Sequence, residues 1–168
     1  MDRKIITCQE TLAVTNHRVL ASDLNEHETV YGGRILELLD GNASIAAARL
    51  ARCQTVTASV DRFDFIAPFA LHDSLCLVSY VSGAGHRSLE VFTKILGEHL
   101  ATGERFLGGT AFSTFVVPDK TVSLPGIQPQ SAEEKAVCAG YSDRLARSKA
   151  ARQNRASWQE FLDLKGNY

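Results

Sequence analysis

An excess of charge of either sign is absent from this chain: 18 Lys and Arg stand against 19 Asp and Glu in 168 residues, a formal net charge of -1. Nucleic acids and anionic membrane surfaces are held by an extended positive field, so neither is expected as a partner, and a polyanion must be bound locally. Long apolar runs are missing as well. No stretch nears the roughly 20 residues that span a bilayer, and "MDRKIITCQE" lacks the apolar region of a signal peptide, so a cytoplasmic location is expected. The cysteines Cys8, Cys53, Cys76 and Cys138 form no CxxC pair. That excludes a zinc knuckle and an encoded redox dithiol, leaving reduced, mostly buried thiols. His17, His27, His72, His86 and His99 show neither HExxH nor paired ligand spacing, and no metal site is expected. No serine sits in a GxSxG elbow, and "GGRILE" lacks the Lys-Ser/Thr ending of a phosphate loop.

What is present is the composition of a globular domain, 45% apolar and 22% charged. Pro118, Pro125 and Pro129 cluster and mark a boundary. The expected organisation is a domain over 1–118, a Pro-containing linker over 119–130 and a helical tail over 131–168. Period-two alternation predicts strands over 10–19, 54–65, 73–82, 87–98 and in "RFLGGTAFSTFVV". Within 54–65 the apolar phase slips by one residue after Val60, which predicts a bulge near Asp61. Between the first two strands, "GRILELLDGNASIAAARLAR" predicts one long helix over 33–52, with Leu36, Leu39, Ala43, Ala47 and Leu50 as its apolar stripe. Its second half is rich in small residues, which lets the helix axis approach a sheet closely. The fold class is α+β: one long helix against a strongly bent antiparallel sheet, with a helical tail.

Asp40 lies at the edge of that stripe and is expected to be partly buried. A buried charge is costly unless it is paired or used. One reading pairs it with Arg49 or another base. The other notes that Gly32 and Gly33 open the helix, where unpaired N–H groups and the positive end of the dipole suit a developing oxyanion. The loop "DLNEHET" places Asn25 and His27 just upstream. An oxyanion donor, a carboxylate two turns along and an orienting amide together describe acyl transfer or hydrolysis.

The segments "DLNEHETVYGGRILELLDGNASIAAAR", "TVTASVDRFDFIAPF", "GHRSLEVFTKI" and "AFSTFVV" resemble the acyl-CoA thioesterases of the hot dog fold, across roughly residues 8 to 118. The resemblance implies a hydrolase that splits acyl-CoA into a fatty acid and coenzyme A. It requires no cofactor, since the coenzyme A moiety belongs to the substrate. It implies a homo-oligomer in which hot dogs pair through their sheets, often as a hexamer built as a trimer of dimers. By the same resemblance Asp40 is the general base or nucleophile, Gly33 the backbone oxyanion donor, and Asn25 the amide that faces the carboxylate of a neighbouring subunit. Coenzyme A would lie along Ala58, Ser59 and Val60 and along Arg87, Ser88 and Leu89. The family loop usually has Gly where this chain has Glu28, a position at which a side chain disfavours positive φ.

Residues 144–155, "RLARSKAARQNR", hold five basic residues and no acidic one. Most such runs are solvated faces. In related thioesterases tail basics contact the nucleotide, here Arg147 and Lys149 by ungapped counting. Two other readings stay open: a non-catalytic acyl-CoA binding module, and a hot dog hydratase, for which His27 is the nearest candidate base.

Overall fold

The computed structural model describes residues 3–166. A short strand β1 (Ile5–Thr7) and a single turn α1 (Cys8–Thr11) lead into β2 (Ala13–Arg18), so the strand expected over 10–19 is shortened by α1. Thr7 caps α1 and Glu10 returns the bond to the Thr7 N–H, which ends strand character there. The long helix follows as α2 (Gly32–Ala51), closed by Arg52 in the left-handed conformation. Strands β3 (Val56–Phe65), β4 (Ser74–Ala84), β5 (Ser88–His99) and β6 (Glu104–Val116) complete an antiparallel sheet in the order β2-β4-β5-β6-β3. Register shifts flank residues 58 and 61 in β3, so the expected bulge at Asp61 is present and a second lies at Ala58.

Alternation along the strands gives the sheet two covered faces. On one, Ala43, Ala46, Ala47 and Leu50 of α2 pack on Val81, Leu89, Val91 and Phe115. Ile35 and Leu39 pack on Leu75, Leu77, Ile95 and Phe69. The helix therefore buries a face centred on Leu39 and Ala43. Leu36, expected in the stripe, is 39% exposed, because Ile35 takes the inward position one residue earlier. The opposite face is covered by α3 (Ala132–Ala139) and α4 (Tyr141–Gln159).

The proline-rich segment carries structure of its own. Leu124 is buried in the α2-side core, and β7 (Gly126–Gln128) pairs in parallel with β1. Arg3 fastens it further, its guanidinium donating to the carbonyls of Leu124 and Pro125. Among the described residues no helix is long and apolar enough to cross a membrane.

Candidate active site

The loop before α2 is built by its polar side chains. Asn25 Oδ1 accepts from the His27 N–H at 2.9 Å and the Thr29 N–H at 3.2 Å, while its Nδ2 donates to Thr29 Oγ1. This turn puts Glu28 at φ 60, the left-handed region that favours glycine. The loop thus keeps the shape a glycine would allow without having one. Below it lies Asp23, a buried carboxylate. Its Oδ2 accepts from the Leu20 N–H and contacts His17 Nε2, both at 2.8 Å, and its Oδ1 accepts from Arg34 Nε at 3.1 Å. Burial pushes the Asp23 carboxyl up, but the Leu20 amide, His17 and Arg34 together hold it below the usual range. One side chain thereby joins β2, the loop and the first turn of α2.

That first turn has no side-chain cap. The Gly33 N–H is among the donors that a helix cannot satisfy internally, and Gly33 is exposed. A Cβ on Gly33 would press against the Tyr31 ring. Seven residues on, Asp40 is exposed in the protomer, contrary to the partial burial expected. The cause is the same phase shift that turned Leu36 outward. Among the described residues no basic side chain pairs with it; its Oδ1 accepts a 2.7 Å hydrogen bond from Thr57 Oγ1. Thr57 is the second residue of β3 and points to the α2 side, as its pairing with the buried Phe115 requires.

The other side of the sheet holds a groove of about 830 Å³ between β3, β5, β6 and α4. Ala58, Ser59, Ser88, Leu89 and Arg147 all line it, five residues from three separate sequence segments. Val60, Arg87 and Lys149 do not. Val60 pairs with Ser113 on the α2 face of the sheet; Arg87 lies in the β4–β5 turn, its carbonyl accepting from the Val117 N–H; Lys149 is on the exposed side of α4. Arg62, Arg144, Arg152 and Arg155 add positive charge to the lining.

Arg144 seats α4 on the sheet. It forms a two-pronged pair with the buried Glu90, both bonds 2.9 Å, and its guanidinium lies 4.1 Å from the Phe112 ring centre. Ser82 Oγ donates to the same Glu90 at 2.6 Å. Neither Thr57 nor the Glu90–Arg144 pair stands out in the sequence. Both depend on a partner 17 or 54 positions away. Their only local signals are a polar residue opening a strand and an acid breaking the apolar run "SLEVF". Among the described residues no cluster of three or more His, Cys, Asp or Glu could hold a metal ion.

Comparison with known proteins agrees with this architecture. The family model of the thioesterase superfamily matches residues 27–102. The chain is 47% identical to the uncharacterized acyl-CoA thioester hydrolase YkhA of Bacillus subtilis over 130 residues, 76% of each chain. It superposes with a TM-score of 0.88 and 31% identity on an acyl-CoA hydrolase from Staphylococcus aureus solved with butyryl coenzyme A, coenzyme A and coenzyme A disulfide, covering 94% of this chain and 98% of that one. That enzyme has also been solved with an aspartate, a threonine or an asparagine replaced by alanine. A hexameric acyl-CoA thioesterase matches with a TM-score of 0.82 and 31% identity, covering 91% of this chain and 97% of the other. The chain accordingly belongs to the thioesterase superfamily, among its hot dog fold acyl-CoA thioesterases.

Proposed function

We propose that this protein hydrolyses acyl-CoA with Asp40 as general base, held by Thr57, and with coenzyme A lying in the basic groove beneath α4. The carrying observation is the Asp40–Thr57 contact at the edge strand β3, whose other side forms a wall of that groove. Oδ1 of Asp40 is engaged by Thr57, and Oδ2 has no hydrogen-bond partner among the described residues. That oxygen takes a proton from water as the water attacks the thioester carbonyl carbon. The oxyanion that forms is met by the Gly33 N–H at a helix N-terminus, and collapse expels coenzyme A as its thiolate.

Along one helix, Gly33 and Asp40 are separated by about 10 Å of rise. A base-held water and an oxyanion donor must converge within a few ångströms of one carbonyl. Gly33 and Asn25 of a neighbouring subunit therefore complete the site around each Asp40. The exposed edge of β3, with Val56 and Val60 each over 40% exposed, is the surface through which sheets would join. The hexameric acyl-CoA thioesterase that this chain resembles supports a homo-oligomeric assembly. In the Staphylococcus aureus enzyme the asparagine, aspartate and threonine replaced by alanine are spaced by 15 and 17 residues. Asn25, Asp40 and Thr57 have the same spacing. No observation singles out the hydratase reading, since His27 is an exposed loop residue beside Glu26.

Thiol release from acetyl-CoA through palmitoyl-CoA by wild type and Asp40→Asn tests the proposal. The variant is expected to keep its fold and assembly and to lose activity about 100-fold or more. Retention of a tenth of the activity would remove Asp40 as the base. Tight coenzyme A binding by the wild type with no thiol release at any chain length would favour the binding module.

A further inference from the structure

Two thiols with no sequence motif between them meet in the fold. Cys8 opens α1 and is buried; Cys138, near the end of α3, is half-buried; their sulfurs are 3.7 Å apart. A disulfide bond is about 2.05 Å long, so the pair is within about 1.7 Å of bonding distance. Both thiols are free, as expected, and they meet because α3 folds back onto the sheet beside α1.

The two sulfurs differ in access. Cys8 is enclosed by Tyr80 and Phe92, with Val137 and Phe112 packed around them. Cys138 forms part of the wall of a separate open cavity of about 480 Å³, together with Arg3, Gly83, Lys135 and Tyr141. A small molecule therefore reaches Cys138 first, beside two cationic side chains. The hydrogen bond between the thiols holds Cys138 below its ordinary range, and it combines with burial to push Cys8 up. The thiolate is the attacking form, and access makes Cys138 the cysteine that an external disulfide meets.

We propose that Cys8 and Cys138 are a reversible dithiol–disulfide site whose oxidant is a small anionic disulfide of the glutathione type. The Cys138 thiolate attacks one sulfur of the small disulfide; that S–S bond breaks, and the released thiolate takes a proton from solvent. The Cys8 thiol then attacks the Cys138 sulfur of the mixed disulfide and gives its proton to the departing small thiolate. The Cys8–Cys138 bond forms and the second small thiol leaves. Two cysteine thiols are oxidised and one small disulfide is reduced to two thiols.

The site lies where such a bond has a structural effect. Helix α3 passes through Gly140 into α4, and Arg144 of α4 also donates to the Val137 carbonyl. Oxidation would fasten α3 to α1, and through Gly140 it would restrain α4, a wall of the basic groove. The proposal is independent of the thioesterase assignment.

The test is incubation of the full-length protein with glutathione disulfide, followed by peptide mapping by mass spectrometry without reduction. Wild type is expected to yield the linked Cys8–Cys138 peptide pair, reversed by dithiothreitol. Cys8→Ser is expected to stop at a glutathione adduct on Cys138, and Cys138→Ser to give no adduct on Cys8. Free thiols at both positions in treated wild type would overturn the proposal. So would glutathione on Cys8 in Cys138→Ser, or linkage through Cys53 or Cys76. The wild-type result alone decides the matter if a variant fails to fold.

Discussion

Glu28 holds a left-handed backbone conformation that costs a side-chain-bearing residue roughly 1–2 kcal/mol. Glycine would remove that strain while adding freedom to the unfolded chain. Glu28→Gly is expected to raise stability by about 0.5–1 kcal/mol, read as a higher urea midpoint at fixed protein concentration. On the proposed mechanism Thr57 acts through Asp40. Thr57→Val keeps the shape of the strand residue but removes the 2.7 Å hydrogen bond. With one carboxylate hydrogen bond gone, kcat is expected to fall about tenfold with little change in KM, and a KM effect alone would place Thr57 in binding instead. Asp23 gives a pH dependence. Its carboxyl is held below the usual value in the folded state, so the unfolded chain binds the extra proton first. Its contribution is complete above the ordinary carboxylate pKa of about 3.9 and is lost as pH falls through the lower folded value. Asp23→Asn is expected to flatten that part of the acid unfolding curve.

At the scale of elements, α4 is held less by apolar burial than by one ion pair. From Ala151 onward every described residue of the tail is exposed. The firm contacts lie at its start, in Tyr141 against Gly83 and in Arg144 with Glu90. A Cβ at Gly83 would strike the Tyr141 ring, so glycine there lets the helix come down on β4. Breaking a buried pair leaves the remaining charge uncompensated. Glu90→Gln is expected to cost about 3 kcal/mol of stability and to weaken coenzyme A binding. Hydrolysis of an acyl-N-acetylcysteamine thioester, which has no nucleotide, should be affected far less. Equal losses on both substrates would show that the groove does not hold the nucleotide.

The molecule as a whole leaves its candidate base on the surface. Asp40 and the outer edge of β3 are exposed together, and an unpaired strand edge is a template for another strand. Val60→Asp is expected to place like charges across that junction, dissociate the assembly in size-exclusion chromatography and abolish turnover. Coenzyme A should still bind the groove, since Val60 faces away from it. A dissociated yet fully active variant would show that one protomer contains a complete site.

The helix, the strands after it and the bulge at Asp61 are legible in the sequence because they follow from local periodicity. The loop residue Asn25, the helix-opening Gly33 and Asp40 are likewise carried by one contiguous segment and its family resemblance. Tertiary structure alone decided what depends on partners distant in the chain: Thr57 against Asp40, Glu90 against Arg144, and Cys8 against Cys138, which are 130 positions apart. It also decided the true phase of the long helix. Leu36 and Ile35 are both apolar, and only the sheet's shape selects which of them turns inward. That choice turns Asp40 outward, so the carboxylate is exposed because packing of its own core excluded it.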